Sequence, residues 1–161
     1  MSGIIDTVGS KSGIVGSDVY PAGHVIQVVK ESLVNETHFG GTTYTLITNF
    51  TITPIYSNSL IIVEFTAGGM VASTPGEIWC KINGTTSGNF YEATTGYSSE
   101  SAWVPAPVSV VGFDTPGTVA TQTYSLYLKT AAVIASTSAR VNQGGSSATQ
   151  GLAKIATEVK I

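Results

Sequence analysis

Residues 50–65 read Phe-Thr-Ile-Thr-Pro-Ile-Tyr-Ser-Asn-Ser-Leu-Ile-Ile-Val-Glu-Phe and hold two strand signatures with a corner between them. Upstream, from Tyr44 to Thr53, Tyr44, Leu46 and, one step later, Phe50 and Ile52 alternate with threonine. A two-residue period is that of a half-buried strand. Pro54 closes this stretch and Tyr56-Ser57-Asn58-Ser59 supplies a turn. Leu60 to Phe65 is then an apolar, β-branched run, which Gly68-Gly69 breaks.

The same reading extends in both directions. His24 to Lys30 is rich in β-branched residues, and Glu77 to Ile82 ends in Asn83-Gly84, a type I′ hairpin signal. Trp103 to Phe113 and Ala120 to Leu128 follow; in the second, Tyr124, Leu126 and Leu128 share one face while Ser125 and Tyr127 share the other. Val133 to Val141 and Leu152 to Ile161 complete about eight strands divided by Gly, Pro, Asn and Ser clusters. Ile, Val, Ser and Thr crowd every segment, and no helical stripe is sustained. The prediction is an all-β chain, an antiparallel two-sheet β-sandwich of jelly-roll type, with an up-and-down barrel as the rival. Strand order is not legible.

Composition bounds the function. The chain has 161 residues, one domain's worth, and 42% of them are hydrophobic, which excludes intrinsic disorder. Only 11% are charged, so Ser, Thr, Asn and Gly must supply the polar surface. A net charge of -3 with seven Lys and Arg leaves no basic stripe for phosphates, and no nucleic-acid partner is expected. One cysteine, Cys80, precludes an internal disulfide, and beside Trp79 it reads as a small core hydrophobe. No apolar run reaches the ~18 residues of a membrane span, and no export leader is apparent, so no membrane partner and synthesis in a cytoplasm are expected.

Chemistry-bearing motifs are scarce. His24 and His38 lack metal-ligand spacing, and no nucleophile elbow, P-loop or dinucleotide motif occurs. Glu64 and Glu77, both in apolar runs, are the one conceivable carboxylate pair for glycosidic chemistry, but no second catalytic signal accompanies them. Asn35-Glu36-Thr37, Asn49-Phe50-Thr51 and Asn83-Gly84-Thr85 match the glycosylation acceptor as chance products of a Thr-rich chain. The reading is a non-enzyme with no catalytic residue, no metal and no cofactor.

Residues 1–20 differ from the rest. Ser2-Gly3-Ile4-Ile5 and Ser12-Gly13-Ile14-Val15 form a near-repeat of small residues around branched apolar pairs. Such a stretch is a poor helix and cannot build a core. It is either a flexible tail or an extended anchor arm whose Ile4, Ile5, Ile14 and Val15 plug pockets on a partner, with 21–161 as the sandwich domain.

This opening, the following Gly23-His24-Val25-Ile26-Gln27-Val28-Val29, the Ile52-Thr53-Pro54 corner before Ser59 and Val63, and the closing Ile155-Ala156-Thr157-Glu158-Val159 resemble small virion structural proteins of tailed bacteriophages, especially marine ones. The resemblance implies a sandwich in which the stretch from Ile52-Thr53-Pro54 through Ser59 to Val63 joins two strands, a commonly trimeric assembly, and a place on the virion surface. The expected partners are other copies of itself and the major capsid protein or another virion protein. The short lead before the first strand favours a capsid decoration or head-fibre protein over the receptor-binding head of a tail fibre. Tyr91, Tyr97 and Trp103, in a Ser-rich stretch, are candidates for contact with a host-surface glycan, or else core or inter-subunit packing residues. A carbohydrate-binding module outside any virion is the alternative from another class.

Overall fold

Alternation decides which side chains go inside. The structure, a computed structural model, describes residues 20–33, 35, 37–72, 76–98, 104–131, 139–141 and 151–161, and among them the chain forms ten strands and no helix. These are β1 (Val25–Leu33), β2 (Thr37–Phe39), β3 (Thr45–Ile52), β4 (Ser59–Ala72), β5 (Gly76–Gly84), β6 (Gly88–Ser98), β7 (Val104–Asp114), β8 (Gln122–Thr130), β9 (Ala139–Val141) and β10 (Leu152–Lys160). Residues 1–19 of the predicted arm, with Ile4, Ile5, Ile14 and Val15, lie outside the described residues.

Two antiparallel sheets pack face to face. Sheet A runs β1-β10-β4-β7, and the far half of β4 also carries β9 and then β2; sheet B runs β3-β8-β5-β6. Five pairings are nested one inside the next: β1 with β10, β2 with β9, β3 with β8, β4 with β7, and β5 with β6. The chain is therefore one long hairpin with its tip between β5 and β6. The pairings β10–β4, β4–β9 and β5–β8 roll that ribbon up. The Thr53–Asn58 corner passes from β3 in sheet B to β4 in sheet A, a sheet-crossing connection between two strands.

The core is the inner face of each strand in turn. Ile61, Val63 and Phe65 of β4 meet Phe50 and Ile52 of β3, Ile78, Cys80 and Ile82 of β5, and Tyr124, Leu126 and Leu128 of β8. Phe50 spans the two layers: its ring lies 5.5 Å from that of Phe65, edge to face, and 6.4 Å from that of Tyr124. Aromatic pairs favour such tilted contacts because ring edges are positive and faces negative. Cys80 is fully buried, in keeping with its reading as a core hydrophobe.

Four local expectations are corrected. The register slips between Leu46 and Thr48, so Ile47 turns inward and Leu46 stays 46% exposed, which accounts for the phase change in this stretch. Gly68-Gly69 does not end β4; the strand runs on to Ala72 with an irregularity between Ala67 and Met70, a usual place for strand glycines. Asn83-Gly84 lies inside β5, and the turn falls at Thr85–Ser87, ahead of Gly88 at φ +64°. Gly88 suits that left-handed backbone because it has no Cβ. Finally, β2 and β6 were not anticipated, since Gly, Ser and Thr dilute the apolar alternation of β6.

Candidate functional site

The outer face of sheet B is built from the residues that alternate with the core. On β5, Trp79, Lys81 and Asn83 stand between buried Ile78, Cys80, Ile82 and Gly84; on β8, Ser125, Tyr127 and Lys129 stand between buried Tyr124, Leu126, Leu128 and Thr130. Register sets Trp79 opposite Lys129, Lys81 opposite Tyr127, and Asn83 opposite Ser125. Each cation thus faces a ring: Lys129 Nζ is 5.2 Å from the Trp79 ring and Lys81 Nζ is 5.3 Å from that of Tyr127. Tyr44, just before β3, completes the set, with both ammonium groups 4.4 Å from its ring. Each such contact is worth about 0.5–1 kcal/mol at a surface, enough to hold long lysine side chains in place. The result is an aromatic platform with ammonium donors, flanked on β3 by Asn49 opposite Ser125.

The outer face of sheet A has a different character. One rung reads Val28, Thr157, Ile62, Phe113 across β1, β10, β4 and β7, and the next reads Lys30, Ile155, Glu64, Val111. A bulge at Ile26 sets Val25 opposite Val159, which itself pairs with Leu60, adding an apolar rung ahead of these two. Val28 is 58% exposed and Phe113 61%, the most exposed of the large apolar side chains described. Farther along, the face turns polar, with Ser32, Ala153, Thr66 and Ser109 in line.

Between the sheets, buried polar groups act as ties. Glu158, fully buried on β10, accepts hydrogen bonds from Ser59 Oγ (2.6 Å), Gln27 Nε2 (2.6 Å), Tyr56 N (3.0 Å) and Ile55 N (2.9 and 3.0 Å to its two oxygens). Burial pushes this carboxyl upward, but the donors from Ser59, Tyr56, Ile55 and Gln27 outweigh it and hold it below the usual carboxylate value. Four residues apart on the same inner face, Lys154 pairs with Glu31 at 2.7 Å and donates to Asn49 O at 3.0 Å, joining β10 to β3 of the other sheet. Asp114 of β7 accepts from Ser87 Oγ and from Tyr124 OH at 2.8 Å. Burial, then the bond to Asp114 and its charge, hold the Tyr124 hydroxyl far above its ordinary range. Both oxygens of Glu158 and both of Asp114 are thus engaged as acceptors.

No protein-family model and no curated protein matches this chain.

The residues singled out from sequence are distributed as follows. Glu64 stands on the outer face of sheet A, its carboxylate accepting from Thr66 Oγ1 at 2.9 Å, whereas Glu77 belongs to β5 in sheet B. The two are not brought together. Tyr91 and Tyr97 lie within β6, opposite Ile82 and Glu77, rather than in a loop; Trp103 falls outside the described residues. His24 sits beside Tyr20, ring centroids 6.1 Å apart, and His38 lies on β2 opposite Arg140. The platform residues Tyr44, Trp79, Lys81, Tyr127 and Lys129 were not recognised as a group. Each strand's alternation marks them as outward, but only the pairing of β8 with both β3 and β5 gathers them.

Proposed function

We propose that this chain is a non-enzymatic structural protein of a bacteriophage virion, a jelly-roll knob carried on the capsid surface as a homotrimer and attached through Ile4, Ile5, Ile14 and Val15 of its N-terminal arm. The observation that supports it most is the pairing order. Five nested strand pairs rolled into a two-sheet sandwich suit a jelly roll, an architecture much used in viral shells and in lectins. A structural role also suits the deployment of Asp114 and Lys154, which tie the two sheets together, and of Glu158, which ties β10 to β1, β4 and the β3–β4 corner. Quantitative mass spectrometry of purified particles tests the reading. A copy number comparable with the major shell protein is the expected result. A handful of copies would move the chain to the head of a tail fibre, and absence from particles would overturn the virion reading.

A second reading rests on the sheet B platform and concerns glycans. Lys81 and Lys129, held over the rings of Tyr44, Trp79 and Tyr127, offer ammonium donors to a carboxylate or sulfate, so an acidic polysaccharide of a host surface is the matching ligand. Strand β6, with Tyr91 and Tyr97, borders the platform through β5. Trp79→Ala should weaken binding to such a polysaccharide at least tenfold, about 1.4 kcal/mol, with an unchanged circular dichroism spectrum. Calorimetry showing no binding by the parent, or equal binding by the variant, would remove this reading.

A further inference from the structure

We infer that the outer face of sheet A is where copies of this chain meet, about a rotation axis parallel to its strands; this deepens the trimer proposal above and rests on it. The run Leu60-Ile61-Ile62-Val63 is apolar at both parities, as in strands covered on both faces. In a single copy only the inner parity is covered, by sheet B. The outer parity, with Val25, Val159, Leu60, Val28, Ile62, Phe113, Ile155 and Val111, is left to water. Contiguous apolar patches of this kind mark contact surfaces.

Charge and register indicate the partner. A rotation about an axis parallel to the strands keeps every residue at its own height, so the β1 side of one copy meets the β7 side of the next on the same rung. On the first rung Val28 then meets Phe113, apolar against apolar. On the second, Lys30 reaches past Val111 to Glu64, opposite charges that lie on either side of Ile155 within one copy. On the third, Ser32 meets Ser109. The face is complementary to itself rung by rung, which an unrelated partner would not require. Four strands about 4.8 Å apart and eight residues at about 3.4 Å give a projected face of roughly 500 Å². Three copies would turn their A sheets to the axis and their B sheets, with the aromatic platform, to the outside.

Light scattering on the full chain and on charge variants tests this. The parent should run at about three times 16.6 kDa. Lys30→Glu and Glu64→Lys should each raise the dissociation constant at least tenfold, and the double variant should recover most of that loss, because the swapped charges attract again. Lys129→Glu, on the opposite face, should leave the oligomer intact. A monomeric parent would overturn both this surface and the trimer. An oligomer indifferent to both single changes, or a double variant no better than the worse single, would overturn this surface alone. Absence from particles with charge rescue intact would remove only the virion reading.

Discussion

Replacing Glu158 by Gln lowers folding stability by about 2–4 kcal/mol, the scale of leaving one or two buried hydrogen-bond donors without an acceptor. The carboxylate accepts five hydrogen bonds within 3.0 Å, from β1, the β3–β4 corner and β4. A glutamine keeps one acceptor oxygen and turns an NH₂ group toward donors that then have no acceptor, each costing about 1–3 kcal/mol. Urea titration at pH 7 reads the loss directly. The pH dependence follows from the same geometry. The folded carboxyl sits below its unfolded value, near 4.3. The unfolded state therefore takes up the proton first, and the stabilisation is full above that value and lost as pH falls through the folded one. The parent should lose stability below about pH 4.3, and the Gln variant should lack that part of the acid slope. An identical acid slope in both proteins would show that Glu158 is not the group responsible.

Phe50→Ala has a comparable effect, about 3–5 kcal/mol, for a different reason. The ring is 3% exposed and bridges the layers, against Phe65 of sheet A and Tyr124 of sheet B. Truncation removes its transfer free energy, leaves a cavity between two sheets whose hydrogen-bonded backbones collapse onto it only in part, and forfeits the edge-to-face contact, worth about 0.5–1.5 kcal/mol. Thermal melting by near-UV circular dichroism should show a large drop in midpoint. A change under about 1 kcal/mol would mean that the sheets close over the gap, contrary to the rigid packing described.

The all-β class and most strands were legible because long runs of the core strands keep a two-residue period, as Tyr124, Leu126 and Leu128 do. Three things were not. Strand order depends on which strands meet, and no local pattern in β10 says that it lies between β1 and β4. Phase slips hide in single residues: Ile26 and Ile47 each shift the alternation by one. Most of all, the inner face of β10 carries Leu152, Lys154, Ala156 and Glu158, two apolar residues and two charges, so polarity alone assigns the wrong side. The partners that make those charges acceptable, Glu31, Asn49, Gln27, Ile55, Tyr56 and Ser59, lie about a hundred or more positions away. Both outer faces share that limit, since their character emerges only when register lines up Val28 with Phe113, or Trp79 with Lys129.

The central claim, that sheet A turns its outer face toward other copies, is tested most directly by chemical cross-linking. In a chain bearing Val28→Cys and Phe113→Cys, the new thiols lie three strands apart, about 14 Å, too far for a disulfide within one copy. The native Cys80 is fully buried. Oxidation should give a covalent species of about three times 16.6 kDa that reduction dissolves. A chain that stays at 16.6 kDa under oxidising conditions, while light scattering shows it oligomeric, would contradict the account.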